Sequence, residues 1–419
     1  MMLLKDYLPN INKKFKNLNF SGLAFNSKEV KKNYIFIAIK GDRFDGNNYI
    51  NDAIKNGAKI IISSKFKDQI KNNIIYLKQK NPRQILSNLS SQIFKKKPQN
   101  LIAVTGTNGK TSIANFYYQI LKKNKKKVAS FGTLGISGKK KIKNTSNTTF
   151  DPIKIGKNLN YLEKKKINNV ILEASSHGLK QHRLDGLKFD VGIFTNLSRD
   201  HLDYHKTFKD YLNAKLILFK KLMKKGSVAI FDEDTKYAEI LKNICKKNKI
   251  KKFTIGELNG DLLIEKYSIV DNKQELTFSF NKKKYNLKTQ LIGKIQIKNL
   301  LMSILAAHKS NIKLDNILKS VENIKAVPGR FEEIGNFKNN SIAILDYAHT
   351  PDALKTCVLN IKEQFKHRKV NLVFGCGGDR DKPKRSIMGK IANDLCDKIY
   401  LTDDNPRTES PKKIRNNIK

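Results

Sequence analysis

The chain has 419 residues, 39% of them hydrophobic, enough for two or three domains with ordinary cores. No apolar run approaches the ~20 residues of a membrane-spanning helix, and the N-terminal MMLLKDYLPN meets Asp6 and Pro9 too soon for a secretory signal. The formal net charge is +46, yet the lysines run through the whole chain beside abundant Asn and Ile, as in Lys122–Lys127 and Lys139–Lys143, so the excess reads as composition and not as a nucleic-acid patch.

Residues 1–98 read as a small α/β domain. Tyr34–Ile39 forms a strand, Gly41–Gly46 a glycine-bounded loop, and Ala58–Ile62 a second strand after a helical pattern. The lysine-rich Lys95-Lys96-Lys97-Pro98 marks the boundary.

The next stretch organises the chain. Leu101–Val104 is an apolar run too short for a helix, Gly106-Thr107-Asn108-Gly109-Lys110-Thr111 follows, and Ile113, Phe116, Tyr117, Ile120 and Leu121 recur at helical spacing. Strand, glycine loop and helix make a phosphate-binding loop, with a G-x-x-G-K-T spacing shorter than the usual form. The glycines let the backbone aim N–H groups at an anion, and the helix N-terminus adds partial positive charge. Lys110 is placed to reach the β- and γ-phosphates and the Thr111 hydroxyl to hold Mg²⁺.

Residues 99–326 then alternate strands and helices, which predicts a mainly parallel sheet covered on both faces, with ligands beyond the carboxyl ends of its strands. Val170–Leu172 ends in Glu173-Ala174-Ser175-Ser176-His177-Gly178; Val191–Phe194 ends in a polar cluster from Thr195 to Asp203; Val228–Phe231 is a further strand. Glu173 and His201 are candidate metal ligands, carboxylate oxygen suiting Mg²⁺ better than imidazole does. Read singly, His201 is an ordinary hydrogen-bonded loop residue, as are His177, His182 and His205. Lys215 shares a helix face with Tyr211, Ala214, Leu218 and Leu222, where periodicity alone gives a snorkelling lysine.

Residues 327–419 resume the alternation. Ile342–Leu345 ends in Asp346-Tyr347-Ala348-His349, Val370–Phe374 in Gly375-Cys376-Gly377-Gly378-Asp379-Arg380-Asp381, and Ile399–Leu401 in Thr402-Asp403-Asp404-Asn405-Pro406-Arg407. Arg380 and Arg407 on neighbouring strand ends suit a free carboxylate or an acidic surface partner. Cys245, Cys357, Cys376 and Cys396 sit far apart without a C-x-x-C pair, against zinc or disulfides and for a reducing, cytoplasmic setting.

Seven strings in order resemble the Mur ligase family of peptidoglycan synthesis: TGTNGKT, NTT at Asn147–Thr149, EASSHGLKQHR at Glu173–Arg183, TNLSRDHLDYH at Thr195–His205, DYAHTPDAL at Asp346–Leu354, GCGGDRD at Gly375–Asp381 and DNPR at Asp404–Arg407. The resemblance implies an α/β fold of three domains. These are a substrate domain at 1–98, a central P-loop parallel-sheet domain at 99–326 and a Rossmann-like domain at 327–419. The family continues past this region to a GKGHE string, so the third domain is expected to be incomplete.

The implied activity is ATP-dependent addition of meso-2,6-diaminopimelate to UDP-N-acetylmuramoyl-L-alanyl-D-glutamate. Gly106, Thr107, Asn108, Gly109, Lys110, Thr111 and Ser112 would bind ATP, with Asn299, Arg330 and Asp346 near the nucleotide. Thr111, Glu173 and His201 would surround Mg²⁺. Phe25, Ser27, Asp42, Arg43 and Phe44 would meet the uridine-diphosphate end, although Lys28 stands where the family usually carries arginine. Asn147, Thr148, Thr149, Ser175, Gln181 and Arg183 would hold the muramoyl dipeptide. Lys215 falls where the family carries a carbamylated lysine, which replaces the snorkelling reading. Lys110, Glu173, His201 and Lys215 form the implied catalytic set. Arg380, Asp404, Asn405, Pro406 and Arg407 would recognise diaminopimelate, Arg407 separating this subgroup from lysine-adding relatives. A monomer acting without nucleic acid or membrane is expected. The alternatives are a ligase adding another amino acid, and a basic P-loop protein that binds nucleic acid.

Overall fold

The computed structural model describes residues 2–9, 11–41, 44–138 and 147–419. Asp42 and Arg43 lie outside the described residues. The chain divides into two compact units, the first made of Met1–Gln99, Thr149–Asn168 and His177–Lys188, the second of Asn100–Thr148, Asn169–Ser176 and Phe189–Lys419.

The first unit is built on a five-stranded sheet in the order Gly22–Ala24, Tyr34–Ile37, Ala58–Ser63, Ile74–Lys78 and Gln69–Lys71, parallel except for the last strand. Successive strand side chains point to opposite faces. Ile35, Ile37, Ile60, Ile62, Ile75 and Leu77 therefore enter one core with Leu86 and Leu89, while Phe36, Ala38 and Ile61 enter a second core with Ile50 and Ala53. Burial on both faces explains the unbroken Tyr34-Ile-Phe-Ile and Ile60-Ile-Ile runs. The helix Pro82–Ile93 starts on an Asn81 cap with proline in its first turn. Ser90 Oγ donates to the Pro152 carbonyl at 2.7 Å. This draws the helix Pro152–Lys164 into the first unit, although that segment lies within the 99–326 stretch.

The second unit carries a ten-stranded sheet. Its order is Gly135–Ser137, Val128–Gly132, Asn169–Glu173, Asn100–Thr105, Phe189–Phe194, Met223–Asp232, Lys251–Gly256, Leu262–Val270, Lys273–Phe280 and Lys283–Thr289. Pairing is parallel from Val128–Gly132 through Leu262–Val270 and antiparallel at both margins. The mainly parallel sheet matches the expectation from strand–helix alternation. The closing meander adds to it. Its signal is present in Lys273–Phe280, where buried residues alternate with less buried ones. Asp271-Asn272 and Asn281-Lys282 take positive φ at its two tight turns, the geometry that two-residue hairpins require. The helices Lys110–Lys123 and Lys294–His308 pack in the main core, with Phe116, Tyr117, Leu300, Leu301 and Ile304 fully buried.

The helix holding Lys215 runs from Phe208 to Ile217 on a Thr207 cap and passes into a π-turn at Leu218–Leu222. Met223 begins the next strand. Beyond residue 327 the strands do not share one sheet. Ile342–Leu345 pairs antiparallel with Glu332–Asn336, while Asn371–Phe374 pairs parallel with Lys398–Leu401. The helices Pro351–Gln364, Lys384–Leu395 and Pro411–Ile418 bury Leu354, Val358, Met388, Ile414 and Ile418 with Cys376.

Candidate active site

The strand Asn100–Thr105 delivers the glycine loop to the carboxyl edge of the sheet, and the helix begins at Lys110. Gly109 caps that helix with φ 84°, and a Cβ there would meet Asn299 Oδ1 at 2.5 Å. Only glycine meets both the left-handed backbone and the close approach of Asn299. The loop is tied to the neighbouring strand end. Thr107 N–H donates to Asn196 O at 3.0 Å, Asn108 N–H donates to Asn196 Oδ1 at 2.9 Å, and Thr195 Oγ1 donates to Asn108 O at 2.5 Å. A loop held this way is preorganised to receive phosphate at the helix N-terminus.

Glu173 ends the adjacent strand and is 2% exposed. Its Oε2 accepts from Thr111 Oγ1 and from Thr133 Oγ1, each at 3.1 Å, and its Oε1 accepts from Thr133 N–H at 2.9 Å. Burial pushes its carboxyl above the usual carboxylate range, against the pull of Lys110 and these three donors. Burial likewise lowers Lys110, with Glu173 and Asp200 opposing. The Lys110 ammonium lies back against the loop, donating to Gly106 O at 2.9 Å and Thr107 O at 2.7 Å.

These groups open onto a cavity of about 360 Å³. Thr107–Ser112, Thr148, Glu173, His201, Asn299, Arg330 and Asp346 all line it, so the sequence brings most of its nucleotide and metal candidates to one place. Asp346 Oδ2 accepts from Phe331 N–H at 2.9 Å, and the Arg330 guanidinium lies 4.3 Å from the Tyr347 ring centroid. Burial raises the Asp346 carboxyl and lowers Arg330, each partly offset by the other. His201 stands at φ 53° with Nε2 3.3 Å from Asp200 Oδ2. Asp200, Gln296, Tyr347 and His349 line the same cavity and were not singled out from the sequence. The polar clusters after Phe194 and Leu345 are the signal that contained three of them.

Lys215 does not line the cavity. It is 1% exposed, its Nζ donates to Gly106 O at 2.6 Å, and it lies 4.2 Å from the Tyr211 ring centroid. The snorkelling reading is therefore wrong: the ammonium turns inward beneath the phosphate loop. Burial, reinforced by Lys110, holds it well below the ordinary lysine range, with Asp200 opposing. Tyr211 OH donates to Thr107 Oγ1 at 3.1 Å, and His205 Nε2 lies 2.9 Å from Ser176 Oγ.

Further candidates stand apart from the cavity lining. Arg380 and Arg407 are exposed on two loops that follow paired strands, since Phe374 and Leu401 are register partners. The first of those loops and the helix after it approach the phosphate side. Arg199 Nε lies 3.8 Å from Asp381 Oδ2, and Lys384 Nζ donates to His349 O at 2.7 Å. Asn147 and Ser175 also belong to the second unit. In the first unit, Ser27 is buried at the start of a 3₁₀ turn capped by Asn26, Phe25 is partly buried, and Phe44 is 71% exposed. There too, Arg183 donates to Thr149 O at 2.5 Å and to Gln181 Oε1 at 2.7 Å, and His182 pairs with Asp185 at 2.7 Å.

A phosphate loop on a parallel sheet, with a buried carboxylate hydrogen-bonded to the loop threonine, defines a nucleotide-binding α/β protein of the phosphate-transferring kind. Three family models match in order: "Mur ligase family, catalytic domain" over residues 19–97, "Mur ligase middle domain" over 104–307 and "Mur ligase, glutamate ligase domain" over 329–419. The chain belongs to the Mur ligase family.

Among relatives, a Rickettsia prowazekii protein named UDP-N-acetylmuramoyl-L-alanyl-D-glutamate--2,6-diaminopimelate ligase is 41% identical across 98% of this chain and 85% of its own length. A Fusobacterium nucleatum protein of the same name is 38% identical across 96% of this chain and 81% of its own length. A solved structure with that name superposes with TM-score 0.76 at 29% identity, covering 100% of this chain and 85% of the other. A MurF ligase from Thermotoga maritima in complex with ADP superposes with TM-score 0.66 at 22% identity, over 91% of this chain and 88% of the other, and shares the fold. Among the described residues no helix is long and apolar enough to cross a membrane.

Proposed function

We propose that this chain is an ATP-dependent amide-forming ligase that joins meso-2,6-diaminopimelate to UDP-N-acetylmuramoyl-L-alanyl-D-glutamate in peptidoglycan synthesis. The observation that carries the reading is the cluster of Lys110 and Thr111 of the phosphate loop with Thr133 and Glu173 beside it, in a cavity shared with Arg330, Asp346 and Tyr347. The names of the relatives supply the substrate pair.

In the first step a D-glutamate carboxylate oxygen attacks the γ-phosphorus of ATP. The bond to the bridging oxygen breaks, and acyl phosphate and ADP form. The loop N–H groups and Lys110 hold the transferring phosphoryl group and offset its charge, the main task in such reactions. In the second step an amine of diaminopimelate attacks the acyl carbon, the C–O bond to phosphate breaks, and the amine gives up a proton as phosphate leaves. Asn299, Arg330 and Asp346 position the nucleotide, with Tyr347 stacked on the Arg330 guanidinium.

The donor set fits Mg²⁺: a buried carboxylate, Glu173, hydrogen-bonded to the Thr111 hydroxyl beside the loop. Thr111, Glu173 and His201 would hold the ion, which when bound neutralises phosphate charge. Phe25, Ser27, Asp42, Arg43 and Phe44 take the uridine-diphosphate end, and Asn147, Thr148, Thr149, Ser175, Gln181 and Arg183 the muramoyl dipeptide. Arg380 and Asp404–Arg407 take the acceptor. The division into domains at 1–98, 99–326 and 327–419 belongs to the same reading, with Arg330 and Asp346 contributed to the nucleotide cavity by the third stretch. The free cysteines Cys245, Cys357, Cys376 and Cys396 support a cytoplasmic setting, and the family resemblance supports a monomer.

Lys215 is buried beneath the loop with its amine biased toward the neutral form, the form that adds CO₂. Carbamylation would turn its head anionic and suit the electropositive neighbourhood of Lys110. Turnover should therefore fall in CO₂-depleted buffer and recover with bicarbonate, while Lys215→Met should be slow under both conditions. An enzyme indifferent to CO₂ would remove the carbamate from this reading.

Phosphate release from ATP and Mg²⁺ tests the whole assignment. Release should need both the nucleotide-linked muramoyl dipeptide and diaminopimelate. Release with lysine in place of diaminopimelate would change the acceptor, and salt-sensitive nucleic-acid binding without substrate-dependent release would replace the function.

A further inference from the structure

Arg385 is the largest fully buried side chain among the described residues, with 0% exposure. It comes from Lys382-Pro383-Lys384-Arg385, a run whose composition reads as solvated. Its guanidinium makes a bidentate fork with Glu409, Nη1 donating to Oε2 at 2.9 Å and Nη2 to Oε1 at 2.8 Å. Nη1 also donates to Asn417 Oδ1 at 3.1 Å and Nη2 to Gly377 O at 3.3 Å. Glu409 Oε1 in turn accepts from Asp379 N–H at 2.6 Å.

The partners come from three places: the loop Gly375–Asp381, the segment following Arg407, and the helix Pro411–Ile418. The two loops are zipped together around this pair. Gly378 N–H donates to Asn405 O at 2.9 Å, Arg407 Nη1 donates to Gly378 O at 2.7 Å, and Thr408 Oγ1 donates to Asp379 Oδ1 at 2.8 Å. The approach is so close that a Cβ on Gly378 would meet Pro406 O at 1.9 Å. Each loop also holds one non-glycine residue in the left-handed region, Asp379 at φ 51° and Arg407 at φ 51°. Such conformations persist only where surrounding contacts over-determine them.

We propose that the Arg385–Glu409 pair is the positioning element of the acceptor site: it sets the spacing of the two loops that carry Arg380 and Arg407, and so the geometry offered to the carboxylates of the incoming diamino acid. The inference rests on the acceptor assignment made above. Arg385 touches no substrate and acts through the loops. Such a fork is suited to this, because an uncharged Glu409 replacement leaves the buried Arg385 poorly satisfied, and a lysine at 385 cannot engage both Glu409 oxygens in the same geometry. Neither Arg385 nor Glu409 lines the phosphate-loop cavity, so the ATP site should respond less to the pair than the acceptor site does.

The test is steady-state kinetics of Arg385→Lys and Glu409→Gln, with KM for diaminopimelate and for ATP measured separately and circular dichroism as the check of fold. Lysine keeps the charge without the fork, and glutamine keeps the shape without the charge. The KM for diaminopimelate should rise about 10- to 100-fold, with kcat recovered at saturating acceptor and KM for ATP within about twofold of wild type. Unmoved acceptor KM in either folded variant overturns the proposal. So does a fall in kcat that acceptor does not restore, or loss of fold in both variants, since the pair is then only structural. Wild-type enzyme assayed alongside separates the two ideas. No diaminopimelate dependence in the wild type defeats the assignment of function, whereas dependence there with unmoved KM in the variants defeats this inference alone.

Discussion

Lys110→Ala should reduce acyl-phosphate formation by at least about 10²–10³-fold, equivalent to ~2.7–4 kcal/mol of transition-state stabilisation. The lysine sits in the first turn of the loop helix, its ammonium resting on the carbonyls of Gly106 and Thr107. Release from those carbonyls would free it to meet the phosphates. Its charge would offset the negative charge that develops on the departing bridging oxygen as the γ-phosphoryl group transfers, so the loss should appear in kcat. ATP affinity should fall less, because the helix N-terminus and the loop N–H groups remain. Quenched-flow detection of acyl phosphate, with equilibrium binding of ATP beside it, separates the two effects. Turnover near the wild-type rate would show that the loop does not handle the reacting phosphate.

Arg407→Ala should discriminate between acceptors. A charge-assisted hydrogen bond to the distal carboxylate of diaminopimelate contributes about 1.5–3 kcal/mol, or ~10–10²-fold in kcat/KM. Lysine lacks that carboxylate, so its kcat/KM should change little. Arg407 has an exposed side chain, is anchored through Nη1 to Gly378 O, and stands on the loop beside Arg380. Competition between the two amino acids in one reaction gives the ratio directly. Equal losses for both would mean that Arg407 supports the loop and does not read the acceptor.

Local order along the chain was sufficient for the phosphate loop. The phosphate loop could be read because strand, loop and helix are adjacent in sequence and each carries its own period or turn residue. Glu173, His201 and Asp346 were reached through strings at strand ends, where a parallel sheet collects its ligands, whereas Asn299, inside the helix Lys294–His308, and Arg330 were reached only through the family resemblance. Tyr347 and His349 stood inside one of those strings, but nothing local distinguishes a side chain facing the cavity from one facing solvent.

By itself, then, the sequence determined the fold class, the family and the nucleotide loop, because periodicity and short motifs are encoded by neighbours along the chain. Only the tertiary structure decided the places of the buried charges. Lys215 and Arg385 sit in segments that read as a snorkelling stem and a solvated basic run. One is carried beneath Gly106 by a helix that ends in a π-turn, the other between Gly377, Glu409 and Asn417. The desolvation of a charge is set by everything packed around it, and its partners lie 24 residues away along the chain for Glu409 and 109 for Gly106. No window of local sequence contains that information.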